Sequence, residues 1–240
     1  MTGVLVLPLE GIPEIEEGDD LAGLLQEAAE WVGGFREDDV LVVAQKAVSK
    51  AEGRTVRLED VEPTEEARAH AGEGDPRHVE VILRESTRIV RSRPPLVIAE
   101  TSHGFVCASA GVDASNTPGE GTLVLLPTDP DASARALRHR LGVAVIVSDS
   151  FGRPFRQGTT DVAIGVAGLS PLLDHRGKRD RAGYELQSTQ IAVADEIAGA
   201  AELVMGKTDA IPGAIVRGLQ LEGDGTARDL VMPPERDLFR

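Results

Sequence analysis

A fold of mixed helices and strands around an aliphatic core is predicted by three features of this sequence. Short apolar runs of strand length alternate with longer, polar-capped helical patterns. The composition is 41% apolar but only 3% aromatic, so Val, Ile, Leu and Ala must fill the interior. No run approaches the ~20 apolar residues that a membrane span requires. The 240 residues fit one large unit, since domains commonly hold ~100–200 residues.

The elements follow in order. Val4–Pro8 is a strand, and Gly11–Asp20 a loop. Asp20 caps a helix reaching about Trp31. The run Asp39–Ala44 has the unbroken apolarity of a buried strand. Thr64 caps a short helix to Ala71, and Asp75-Pro76 opens another, because proline suits the first helical turn. Leu96–Glu100 and Gly104–Ala108 form a strand pair turning at Ser102–Gly104, and Gly121–Pro127 is a further strand. Asp131 or Ser133 caps a helix through Leu141, followed by the strand Val143–Ser148. Residues 149–189 then read as irregular, with one apolar stretch, Val162–Leu173. Ile191–Leu203 is an Ala-rich helix, Pro212–Arg217 the last strand, and a polar tail begins at Arg228.

Composition removes several classes of function. Forty acids against 25 bases leave a net charge of −15, which argues against generic nucleic-acid binding, because phosphate affinity rests on clustered Lys and Arg. With so few aromatics there is no stacking platform for single strands. The single cysteine, Cys107, cannot form an intrachain disulfide, which suits a reducing compartment. The N-terminal segment has no basic region followed by an apolar stretch, so no signal peptide is expected. The expectation is a soluble, cytoplasmic protein with no membrane partner.

Five segments could carry chemistry. Gln45–Lys50 follows a buried strand and holds Lys46 and Lys50, two of only four lysines beside 21 arginines. A compact ammonium suits a phosphate; the alternative is a solvated loop. Asp113, Ser115 and Asn116 offer hard oxygens of the kind Mg²⁺ and Mn²⁺ prefer, or else form an Asx-turn. Asp149 and Ser150 stand at the carboxyl end of an apolar strand, where ligands often bind, with Arg153 and Arg156 following to meet an anion. Residues 174–185 carry His175, Arg176, Lys178, Arg179 and Arg181, either an anion site or a solvated loop. Met205-Gly206-Lys207-Thr208-Asp209 imitates the end of a Walker A loop, but Ala201 replaces the first glycine, and the helix precedes the strand where a P-loop needs the reverse. Of the adjacent pair Asp195-Glu196, one acid can face inward and the other water. The five histidines show no metal-ligand spacing, and no GxSxG or Cys–His pattern supports a covalent nucleophile.

Taken together, LPLEGIPEIEEGDDL, DVLVVAQKAVSKAEGR, ASAGVDASN, LLPTDPDASA, VIVSDSFGRPFRQGTTDVAIGVAGL, VADEIAGAAELVMGK and IPGAIVRGL resemble, in this order, the coenzyme F420 gamma-glutamyl ligase family. The resemblance implies an α+β fold, not of the P-loop type, with mixed or antiparallel sheets and packed helices. It implies two intimately associated lobes, with a possible boundary near residues 148–190 of one ligase unit spanning 1–240, and an intertwined homodimer. The implied reaction is GTP-dependent addition of L-glutamate to the phospholactate carboxylate of coenzyme F420-0, with Mn²⁺ or Mg²⁺ and K⁺. By motif, Ile12, Pro13, Glu14 and Ile15 would line the GTP site, joined by Gln45, Lys46, Lys50 and Asn116, and by Met205, Gly206, Lys207, Thr208, Asp209, Ala210 and Ile211. Asp113 and Asp149 would hold metal, helped by Ser150 where the family often has Thr, and with Lys50 they would carry the catalysis. Some relatives have an acidic metal ligand where this chain has Lys207. Two other readings remain open: a nucleotide-binding regulatory module, and a GTP-dependent ligase or phosphotransferase with another anionic acceptor.

Overall fold

The computed structural model of the chain describes residues 3–117 and 119–238. Strand β1 (Leu5–Pro8) leads through a loop to helix α1 (Leu21–Glu30), where the Asp20 carboxylate accepts the Gly23 N–H at 3.2 Å as its cap. Strand β2 (Val40–Ala44) runs directly into helix α2 (Gln45–Ala51), and β3 (Thr55–Arg57) follows. Helices α3 (Glu65–Ala71) and α4 (Pro76–Arg84) carry the expected caps, Thr64 and Asp75. Next come β4 (Ser86–Arg93), β5 (Leu96–Thr101), β6 (Val106–Ala108), β7 (Thr122–Val124) and helix α5 (Pro130–Leu141). Strands β8 (Ala144–Gly152), β9 (Thr159–Ala167), β10 (Leu173–Asp174) and β11 (Gln190–Ile191), helix α6 (Val193–Met205) and strand β12 (Gly213–Arg217) complete the regular elements.

The main sheet has the order β1-β12-β2-β8-β9. Its pairs are antiparallel except β2 with β8, so the sheet is mixed. A second, three-stranded antiparallel sheet joins β4, β5 and β6, and β3 pairs with β7. Val40, Leu41, Val42 and Val43 are all buried, which is why β2 reads as continuous apolarity: both faces of this central strand are covered. Each such side chain contributes about 1.5–3 kcal/mol of burial. A separate apolar cluster, drawn from Val61 to Leu125, packs α4, β5 and β7 together. Among the described residues no helix is long and apolar enough to cross a membrane.

Several expectations are corrected. The cap of α5 is Asp129, whose carboxylate accepts the Ala132 N–H at 2.9 Å, and not Asp131 or Ser133. Those two have other partners: Asp131 Oδ1 accepts the N–H groups of Val166 and Ala227, and Ser133 Oγ donates to Glu52. Residues 149–167 are not irregular. β8 continues to Gly152 and β9 returns from Thr159 to Ala167, because the polar residues of both strands satisfy one another across one face. Gln45–Lys50 is helix, not a solvated loop. The C-terminal segment is docked through Ala227, which is buried; Phe239 and Arg240 of the expected tail lie outside the described residues, as do Met1 and Thr2 of the N-terminal segment.

Candidate active site

The parallel β2–β8 pairing ends at Ala44 opposite Ser148. Beyond that pair the chain of β2 turns into α2, while β8 runs on for four residues. The edge of β8 left open there borders a cavity of about 490 Å³. Neighbouring strand residues project to opposite faces, so Asp149 and Ser150 reach the cavity from the two sides of this free edge.

Helix α2 forms the opposing wall. Gln45 anchors it: the buried amide Nε2 donates to Ser49 Oγ and to Leu125 O, both at 2.7 Å. Gln45 Oε1 is buried with no partner among the described residues. Lys46 and Lys50 lie four apart and therefore share a helical face; both line the cavity. Lys46 Nζ pairs with Asp113 Oδ2 at 2.7 Å and donates to Ser115 Oγ at 2.7 Å. Lys50, 8% exposed, pairs with Glu14.

The remaining walls come from two loops. Ile12, Pro13, Glu14 and Ile15 precede α1; Met205, Gly206, Lys207, Thr208, Ala210 and Ile211 join α6 to β12. Asn116 links the 113–117 loop to this second segment by donating from Nδ2 to Lys207 O at 3.2 Å. Asn116 and Ala210 both have left-handed backbones, with φ of 52° and 55°. Asparagine tolerates that region and alanine does not, so the strain at Ala210 sits on the cavity wall.

Two predicted carboxylates behave differently. Burial pushes the Asp113 carboxyl up, but the Lys46 ammonium and the Ser115 N–H outweigh it and hold it below the ordinary range. The Asx-turn is real as well: Asp113 Oδ1 accepts the Ser115 N–H at 2.7 Å. Burial pushes Asp149 up to about 7; the negative charges of Asp161 and Asp113 add to this, against the Ser150 N–H and Lys207. The two acids are thus electrostatic neighbours although Asp113 stands just behind the wall, reaching the cavity through Lys46.

Asp161 on β9 and Glu202 on α6 also line the cavity, and neither is evident from the sequence pattern. Burial and the Asp161 charge raise the Glu202 carboxyl. The structure does not bring Arg153 and Arg156 into this cavity: both are exposed at the β8–β9 turn, where Arg153 donates to Gln157 O at 2.8 Å. Asp209 is exposed and is not part of the wall. The 174–185 segment is solvated, with Arg176 paired to Asp174. Of the adjacent acids on α6, Asp195 turns inward to accept the Ala163 N–H at 2.9 Å and Glu196 faces water.

Among the described residues no three His, Cys, Asp or Glu side chains are close enough to cage a metal. A divalent ion that shares its shell between one or two carboxylates, water and substrate phosphates needs no such cage. The hard oxygens of Asp149 and Ser150 on the cavity wall, with Asp113 behind Lys46, suit that mode.

A pocket that sets half-buried and buried acids against two lysines, with the Asp149 carboxyl pushed up by burial, has the character of an enzyme active site. Residues 11–218 match the family model of F420-0:gamma-glutamyl ligase. The chain is 47% identical over 257 residues to the coenzyme F420:L-glutamate ligase of Methanopyrus kandleri, with 100% of each chain covered. It is 45% identical over 251 residues to the protein of the same name from Methanothermobacter thermautotrophicus, covering 99% of each. For the Archaeoglobus fulgidus protein of that name the identity is 43% over 246 residues, covering 99% of this chain and 96% of the relative. The chain belongs to the F420-0:gamma-glutamyl ligase family.

Proposed function

We propose that this enzyme adds L-glutamate to the phospholactate carboxylate of coenzyme F420-0 at the expense of GTP. The observation that carries the reading is the meeting of Lys46 and Lys50 with Asp149 around one cavity, with Asp113 directly behind Lys46.

A carboxylate and an amine do not condense in water, because the carboxylate lacks a leaving group. Transfer of the γ-phosphoryl group of GTP to the carboxylate oxygen gives an acyl phosphate and GDP. The glutamate amine then attacks the acyl carbon, phosphate departs and an amide remains. In the first step positioning and charge neutralisation dominate. Lys46 and Lys50 grip phosphate oxygens, exchanging Asp113 and Glu14 for them. The segments 12–15 and 205–211, with Gln45 and Asn116, enclose the nucleotide. A ligand donor would satisfy the orphaned Gln45 Oε1. Mn²⁺ or Mg²⁺, held by Asp113, Asp149 and Ser150, would supply further neutralisation of the phosphates, and K⁺ belongs to the same reading. Arg153, Arg156 and the basic 174–185 segment, outside the cavity, are available to the anionic acceptor. In the same reading the chain is one ligase unit of two close lobes and pairs as an intertwined homodimer.

The test is mass spectrometry of F420-0 incubated with the protein, GTP, Mn²⁺ and L-glutamate, with GDP release measured in parallel. The expected result is a product heavier by glutamyl residues, and GDP release that requires both acceptor and glutamate. GTP binding without turnover would favour a regulatory module. GDP release that ignores F420-0 would point to another acceptor.

A further inference from the structure

We propose that Asp161 is a positioning residue: it orients the Ser150 hydroxyl so that its oxygen, and not its proton, faces a divalent cation in the cavity. The inference rests on the metal-dependent reading above and adds a residue to it.

The argument starts from strand register. Val147 pairs with Gly165, but Ser148 pairs with Ala163, so β9 carries one extra residue at this bulge. A shift of one residue moves every following side chain of that strand to the other face. Without it, Asp161 would stand opposite Phe151, on the face of Asp149. With it, Asp161 pairs with Ser150 and shares a face with Ser148 and Ser150. The bulge thus delivers a carboxylate to two hydroxyls.

The contacts follow. Ser150 Oγ donates to Asp161 Oδ1 and Ser148 Oγ donates to Asp161 Oδ2 at 2.9 Å. Ser148 and Asp161 are buried, at 1% and 7% exposure, whereas Ser150 is only partly buried. A serine hydroxyl has one proton and two lone pairs. With its O–H directed at Asp161, Ser150 has both lone pairs free, and it lines the cavity. Without that acceptor the hydroxyl rotates freely, and some of its orientations turn the proton toward a cation. Groups that hold a metal ligand from behind commonly govern affinity by 10–100-fold.

The test measures Mn²⁺ binding, not turnover. Free Mn²⁺ is read by electron paramagnetic resonance in titrations of the full chain at saturating GDP. Asp161→Asn keeps the shape but exchanges one acceptor for a donor, so one serine must turn round. It should weaken Mn²⁺ binding about tenfold or more. Ser150→Ala should do the same, and the double variant should lose no more than Ser150→Ala alone, because Asp161 acts through that hydroxyl. Ser148→Ala, which leaves Ser150 in place but frees the carboxylate to turn away from it, should weaken Mn²⁺ binding by less than about tenfold; it carries the test if Asp161→Asn does not fold, as judged by circular dichroism. Unchanged Mn²⁺ affinity in the folded variant overturns the proposal, and so do additive losses in the double variant, which would make Asp161 an independent charge. Wild-type protein that binds no Mn²⁺ would overturn the metal reading itself; wild-type binding with an indifferent Asp161→Asn would overturn only this assignment.

Discussion

Lys50 and Glu14 give the nucleotide reading a test with two opposite signs. Lys50 is buried along its stem and its ammonium pairs with Glu14, whose side chain is 67% exposed. Both line the cavity, so a phosphate that reaches Lys50 has to displace Glu14. A pair with one partner so open to water is worth about 0.2–1 kcal/mol. Glu14→Gln removes that competitor and should tighten GTP binding about 1.4–5-fold. Lys50→Met keeps most of the stem and removes the charge. A hydrogen bond to a charged group contributes about 1.5–3 kcal/mol, so affinity should fall about 13–160-fold. In the Lys50→Met background Glu14 has nothing to compete for, and Glu14→Gln should then change nothing. Isothermal titration with GTP at fixed ionic strength reads all three, and the gain from Glu14→Gln should shrink as salt is raised. A Glu14→Gln variant that binds GTP more weakly would show that Glu14 holds the nucleotide, and a Lys50→Met variant of normal affinity would remove Lys50 from the phosphate site.

Asp149→Asn should reduce GTP-dependent glutamate addition at least ~100-fold with the thermal midpoint retained, since a buried charge is replaced by a neutral group of its own shape; normal turnover would take Asp149 out of the site. Arg217→Met strands the buried Asp39, which Arg217 now meets at 2.8 and 2.7 Å, and should cost about 3–5 kcal/mol in urea unfolding; a loss below 1 kcal/mol would contradict this. Glu80 accepts from the N–H and hydroxyl of Thr64 and from Arg84, which outweigh its burial and hold its carboxyl below the ordinary range. Because the folded value is the lower one, its contribution is complete above the ordinary carboxylate pKa and is lost as pH falls through the folded value. Glu80→Gln should therefore cost about 1.5–3 kcal/mol at pH 7, and its difference from wild type should shrink below about pH 4; a pH-independent difference would refute the assignment.

What could be read from the chain was local. Asp20, Thr64 and Asp75 announce their helices because a cap bonds to an N–H two or three residues away. Asp129 escaped the same logic, because Asp131 and Ser133 crowd the same turn as equally plausible caps, and only the tertiary partners Val166, Ala227 and Glu52 show that these are engaged elsewhere. Strand β4 hides behind its arginines, three of which interrupt the apolar pattern of a largely exposed strand. The cavity residues on the 12–15, 45–50 and 205–211 segments were legible through the family resemblance. Asp161 was not, because its importance depends on a one-residue bulge that pairs it with Ser150, and no local pattern encodes a register. Glu202 likewise differs from the other acids of its helix only by what it faces.

The nucleotide reading would also account for an acidic protein placing two of its four lysines on one short helix. On the proposed reading, a net charge of −15 would repel a triphosphate and a phosphorylated acceptor alike, so attraction would have to be generated locally. Two ammonium groups on α2, each neutralised by a carboxylate at rest, do this without leaving a bare positive cluster inside the fold. The partners are unequal. Asp113 is tied down by the Ser115 N–H as well as by Lys46, whereas Glu14 is exposed and held by Lys50. If phosphate binds here, displacing Glu14 is the easier exchange and Lys50 the first point of capture; Lys46 would give up Asp113 only when a phosphate and a cation together replace what Asp113 loses. On this account nucleotide and divalent ion should bind cooperatively. Lys46→Met, which releases Asp113 in advance, should reduce that coupling more than Lys50→Met does, and equal coupling in the two variants would show that the asymmetry of the ion pairs has no part in loading the site.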